Sequence, residues 1–255
     1  MTLVIPSIDL SNGICAHSIV GEENTEELYS GFAKDPIRLC QLMRRENSKC
    51  LHINDLDSFL GKSNLINANA VLYMIDAVDI PLQYYSDFAT VNECKLYLDS
   101  GIYRIVIGEL ALGDPEGVRQ LIKTYTSSRV IFSLSAENRY IYFHNSRNHL
   151  KDTDFINQIK NLGGNRVIYS DKSPIHESFA ERLSFLAKLS METGVKITVN
   201  EELDNADDLI QINNYNQYGI DSVILGSTLF HNNFPCQAIW RKAESEVEPG
   251  LFCQM

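Results

Sequence analysis

The chain has 255 residues, of which 44% are hydrophobic, 22% charged and 9% aromatic. That length suits one large domain or two small ones, and a single domain of this size buries about 70–75% of its unfolded surface. The apolar fraction excludes a disordered chain, and no run approaches the ~18 apolar residues of a membrane span.

The net charge is −11, from 33 acidic and 22 basic residues. Such a field repels phosphate backbones and argues against general nucleic-acid binding. The start, MTLVIPSIDL, lacks the basic residues and long apolar run of a signal peptide. Six cysteines, Cys15, Cys40, Cys50, Cys94, Cys236 and Cys253, form no CxxC pair. They read as reduced thiols of a cytoplasmic protein rather than a disulfide framework or a zinc site.

Strand-like and helical stretches alternate along the chain. A strand is expected over Leu3–Ile8, followed by a hydrophilic loop at Gly21–Glu27 and a helix over Pro36–Arg45. Strands then follow at Cys50–Asn54 and Ile80–Tyr84, a helix at Val91–Ser100, a strand at Ile102–Ile107 and a helix at Pro115–Tyr125. Asp114 before Pro115 is an N-cap ahead of an N1 proline. The fifth strand is Arg129–Leu134, and the stretch Ala136–Asp154 after it holds a small hairpin at Arg139–Phe143. Helices at Asp154–Leu162, Phe179–Glu192 and Ala206–Tyr218 separate the last strands, Arg166–Tyr169, Lys196–Val199 and Ser222–Leu225.

Several strands are continuously apolar, as suits parallel strands covered on both faces. Eight strands with helical connections in ~250 residues is the count of a (β/α)8 barrel; a doubly wound sheet, which needs fewer strands, is the alternative. Gly101-Ile-Tyr-Arg-Ile-Val-Ile-Gly108 recurs as Gly219-Ile-Asp-Ser-Val-Ile-Leu-Gly226, near half a chain later. The recurrence at the fourth and eighth strands reads as a half-barrel repeat; a common helix-to-strand-to-loop solution is the alternative. The barrel is expected over residues 1–244 as one domain, with 245–255 as a C-terminal tail.

In a barrel, chemistry sits where strands end. Those positions carry Asp9, Asp55, Asp57, Tyr85–Ala89, Gly108, Glu109, Ser135, Ser170, Asp171, Asn200–Glu202, Gly226 and Ser227. Asp9 at a partly dry mouth suits acid–base work; it equally suits a structural acid capping the Ser11-Asn12-Gly13 turn. Asp55 reads as structural. The six histidines show no HxH or HExxH spacing, so no metal site is expected. Gly61-Lys62-Ser63 lacks the upstream glycine of a phosphate-binding P-loop.

Ile5-Pro-Ser-Ile-Asp-Leu-Ser-Asn-Gly13 resembles the IPAIDLxDG opening of the HisA/HisF family of phosphate-binding barrels. Leu51-His-Ile-Asn-Asp-Leu56, Ile80-Pro-Leu-Gln83 and Tyr29 with Asp35-Pro36 resemble further family segments, and so do the two repeated strands. The resemblance runs from about residue 3 to Ala243, and the wording of the first strand favours the HisA branch. It implies an Amadori isomerase of histidine biosynthesis that needs no cofactor. It also implies a phosphorylated small-molecule ligand, two opposed aspartates and two phosphate sites.

Asp9 matches the first aspartate. The second reads Ser135, a poor proton carrier, and general acid–base steps contribute about 10²–10⁴-fold. The family's threonine after the sixth strand reads Ser170, and its DGT reads Ile175-His176-Glu177. Its GGG-x-R reads Tyr85-Ser-Asp-Phe-Ala89, and its SGG reads Val199-Asn-Glu201. Gly226-Ser227 is intact in outline, whereas Gly108 is followed by Glu109. A carboxylate ~4 Å from a phosphate charge costs about 4 kcal/mol at an effective dielectric of 20. Asp87, Glu109, Glu201 and Glu202 are therefore expected to repel the family's ligand. Two functions remain open: an active isomerase, and a divergent paralogue with a binding or partner role or another substrate. No protein partner is identifiable from the sequence.

Overall fold

The computed structural model describes residues 2–20, 26–62, 65–143, 146–173, 178–203 and 206–230. The strands are β1 (Leu3–Ser11), β2 (Ile14–Cys15), β3 (Leu51–Asp55), β4 (Leu82–Tyr85), β5 (Arg104–Ile107), β6 (Val130–Glu137), β7 (Tyr140–Phe143), β8 (Ser146–Lys151), β9 (Arg166–Asp171), β10 (Lys196–Asn200) and β11 (Ile220–Leu225). Eight of them, β1, β3, β4, β5, β6, β9, β10 and β11, pair in parallel in that order. Pairing of β11 with β1 closes the ring, which makes the fold a (β/α)8 barrel.

The helices are α1 (Glu26–Lys34), α2 (Pro36–Arg45), α3 (Leu56–Phe59), α4 (Leu65–Ala77), α5 (Val91–Asp99), α6 (Leu110–Gly113), α7 (Pro115–Tyr125), α8 (Asp152–Leu162), α9 (Phe179–Thr193), α10 (Ala206–Asn214) and α11 (Ser227–Phe230). Caps explain the sharpest boundaries. Asp35 accepts from the Ile37 and Arg38 amides ahead of Pro36, and Asp114 accepts from the Gly117 amide ahead of Pro115. Ser178 and Glu181 form a reciprocal capping box on α9.

Two apolar layers hold the barrel. The larger lies between strands and helices; the smaller plugs the lumen with Ile5, Cys50, Val106, Ile131, Ile168 and Ile224. Alternate residues of a strand share a face. Ser7 and Asp9 therefore rise above Ile5, His52 and Asn54 above Cys50, and Ser133 and Ser135 above Ile131, toward the mouth. Below the mouth, Arg166 binds Asp221 through both carboxylate oxygens, at 2.5 and 2.8 Å, and also reaches Thr198 and Ser222. Burial works against the Asp221 charge, but Arg166 and Lys196 hold its pKa at about 2.

Several expectations need correction. Glu26 and Glu27, read as loop, begin α1; residues 21–25 lie outside the described residues. Helix α4 was not anticipated, because its sequence LINANAVLYMIDA is apolar on several faces and shows no single stripe. The stretch Ala206–Tyr218 is not one helix: α10 stops at Asn214, and a separate 3₁₀ turn spans Asn216–Tyr218. The hairpin after the fifth strand pairs β7 with β6 and β8, so it reaches further than Arg139–Phe143. Its two-residue turn, Asn138-Arg139, has φ of 50° and 71°, the hairpin-favoured left-handed pair.

Cys15, Cys40, Cys50 and Cys94 are free and buried. Burial pushes Cys15 up to about 12 and Cys50 to about 11, which leaves both as unreactive thiols. Cys236, Cys253, Ile175-His176-Glu177 and the expected tail 245–255 lie outside the described residues. No described helix is long and apolar enough to cross a membrane.

Candidate functional site

The open end of the barrel holds two cavities. The larger, about 580 Å³, is lined by Asp9, His17, His52, Asn54, Asp171, Arg182, Glu202, Gly226 and Ser227, among others. The smaller, about 350 Å³, is lined by Phe59, Phe88, Gly108, Glu109, Ser133, Ser135 and Tyr142, among others. Tyr85 lines both.

Asp9 lies inside β1 rather than beyond its end, because the strand continues to Ser11. Its carboxylate accepts from Ser7 Oγ at 2.9 Å and lies 3.2 Å from His17 Nε2. It does not cap the turn that follows. The Asn12 amide donates to Asp57 Oδ2 at 2.7 Å, Ser11 Oγ donates to Asp57 Oδ1 at 2.9 Å, and the Gly13 amide donates to Asn67 Oδ1. Asp57 is thus the structural acid of this turn, and Asp9 is left facing the cavity beside His17. Asp55 is structural as expected: it accepts from Tyr84 Oη at 2.9 Å and Asn67 Nδ2 at 2.6 Å, and it caps α3.

His52 is only 3% exposed, and burial lowers its pKa to about 4, so it is neutral. Gln83 Nε2 can only donate, so its 3.0 Å contact makes His52 Nδ1 the acceptor. The ring proton therefore sits on Nε2. Asn54, two residues on along the same face, has an Oδ1 with no partner among the described residues. The signal for this pair was present in the sequence: polar residues at alternate positions of an otherwise apolar strand.

Ser135 faces the lumen but lines the smaller cavity, away from Asp9. Gly108 lies there too; a Cβ on it would meet Tyr85 Oη and the Ser133 carbonyl at 3.7 Å. Ser170 is buried, sits opposite Ser135 in register and accepts from Asn200 Nδ2 at 2.9 Å. Among the sequence candidates, then, Asp9, Gly226 and Ser227 come together, with Asp171 beside them. Gly108 and Ser135 form a separate group.

The acidic substitutions are not all bare charges. Glu201 pairs with Arg182 at 2.9 Å. Glu202 accepts from Ser227 Oγ through both oxygens at 2.6 Å, and from Thr228 Oγ1 at 2.6 Å. Sequence reasoning missed His17, Arg139 and Arg182 as lining residues. Arg139 occupies the second position of the hairpin turn, where glycine is preferred, and stacks on the Phe185 ring. Its place was invisible before the hairpin was built. Among the described residues no three His, Cys, Asp or Glu side chains form a metal-binding group.

A family model for histidine biosynthesis protein matches residues 3–235. The chain belongs to that family. It is 33% identical over 247 residues to a phosphoribosyl imidazole-4-carboxamide isomerase of Pelodictyon phaeoclathratiforme, covering 96% of this chain and 95% of the relative. An isomerase of the same name from Chlorobium phaeobacteroides is 31% identical over 249 residues, covering 96% and 95%. One from Salinibacter ruber is 30% identical over 243 residues, covering 94% and 93%. This histidine-biosynthesis barrel therefore aligns end to end with proteins named as the HisA isomerase, and the resemblance of its first strand to HisA holds across nearly the whole chain.

Proposed function

We propose that this HisA-like barrel binds a small polar molecule at its mouth and that ribotide isomerisation is lost or changed. The observation that carries the reading is that Asp9 and Ser135 line different cavities of the mouth, with Tyr85 lining both. Isomerisation needs one group to protonate the departing ring oxygen and another to take a proton from carbon. Asp9 can serve one transfer, but Ser135 lines the other cavity and carries no acid. The chain is expected to act in the cytoplasm, without a cofactor.

A second reading, the active isomerase, is favoured by the end-to-end identity to proteins of that name. It is also favoured by the presence of Asp9, His17 and Asp171 in one cavity, a set able to exchange protons. Genetic complementation of a strain lacking the isomerase separates the two. The first reading expects no growth from the wild-type chain, and Ser135→Asp alone does not restore it, because residues 9 and 135 still line different cavities. Growth that disappears with Asp9→Asn establishes the active isomerase instead.

A further inference from the structure

The loop after β10 and the start of α11 meet at the rim of the larger cavity. There the hydroxyls of Ser227 and Thr228 both point at one carboxylate, that of Glu202. Thr228 is buried, and Gly226 beside it leaves open space, with nothing within 4 Å of where a Cβ would stand. Small residues and paired hydroxyl donors make a cradle for a tetrahedral or planar anion. The chain fills that cradle with its own anion.

We propose that Glu202 is the specificity-determining residue of the mouth. Its carboxylate holds the hydroxyls of Ser227 and Thr228 and selects ligands that carry no phosphate at this end. This rests on the reading above and deepens it by naming the ligand class. An incoming phosphate must displace a charged carboxylate held by two hydroxyls or sit beside it, and both are unfavourable. Glu201 adds a second carboxylate nearby, which accepts from Arg182.

The test is titration with inorganic phosphate, read by the amide NMR shifts of Ser227 and Thr228. The proteins compared are the wild type, Glu202→Ala and Glu202→Gln, each checked for a cooperative thermal transition. The wild type is expected to show no saturable shift. Glu202→Ala is expected to bind phosphate at least tenfold more tightly, and Ser227→Ala/Thr228→Ala in that background to abolish the gain. Glu202→Gln keeps an acceptor for the hydroxyls without the charge, so it folds like the wild type and shows a smaller gain. Saturable phosphate binding by the wild type at these amides overturns the proposal. So does an absence of gain in both Glu202 variants. Neither result bears on the complementation outcome, which tests the isomerase reading through Asp9.

Discussion

The two ends of the internal repeat put one kind of loop in two different settings. Gly108 follows β5 and Gly226 follows β11, at matching places in the repeated sequence. Around Gly108 an aromatic wall stands close: a Cβ there would meet the Tyr85 hydroxyl in ordinary contact at 3.7 Å, Phe59 packs on the Tyr85 ring at 4.6 Å, and Asp87 and Glu109 line the same cavity. Around Gly226 the space stays open, and Glu202 holds the neighbouring hydroxyls. Both ends carry carboxylates, and the Gly108 end has an aromatic wall as well, so the two ends differ in room rather than in charge.

Truncating Tyr85 is the strongest way to break this comparison. Tyr85→Ala is expected to merge the two cavities and to cost about 3 kcal/mol, at the low end for an aromatic because the ring is only partly covered. Denaturant unfolding measures the cost. A loss below about 1 kcal/mol would mean that the ring does not hold the Gly108 side together.

The pH dependence of stability sharpens the comparison from the centre of the mouth. His52 has a folded pKa of about 4, below its ordinary 6.5, because burial disfavours the charged ring. The unfolded chain then binds the extra proton first, so stability is full above pH 6.5 and falls as the pH drops toward 4. From pH 6.5 to about 5 the loss is about 2 kcal/mol. His52→Gln is expected to flatten that part of the profile, as followed by thermal melting across the range. An unchanged slope would place the protonation elsewhere.

The smallest expected effect discriminates the two glycines directly. Gly108→Leu forces its side chain against Tyr85 and Ser133 and is expected to cost about 1 kcal/mol or more than Gly226→Leu. Paired melting curves check this. Equal costs would show that the two ends are crowded alike.

Much of this could be read from residues alone, for identifiable reasons. Helices α2 and α7 match their expected bounds because each carries its own start signal, Asp35-Pro36 and Asp114-Pro115. The barrel strands stand where apolar runs placed them, although β1, β6 and β9 continue past the apolar residues to Ser11, Glu137 and Asp171. Asp9, Ser135 and Asp171 among those extra residues line the mouth cavities, so hydrophobicity ended the expected strands too early. Helix α4 was missed for the opposite reason, an apolar surface without a stripe.

The sequence by itself determined the architecture, the repeat and the identity of the substituted loop residues. All three are written in local patterns: strand periodicity, caps and ordered motifs. The tertiary structure alone decided that Asp57 rather than Asp9 caps the first turn, that Asp9 and Ser135 line different cavities, and that Glu202 folds onto Ser227 and Thr228. Each of these depends on side chains from different strands meeting across the mouth, at distances that strand tilt and register set. Linear spacing carries no record of such meetings, so a list of acidic substitutions could suggest repulsion but could not reveal which carboxylate already occupies the cradle.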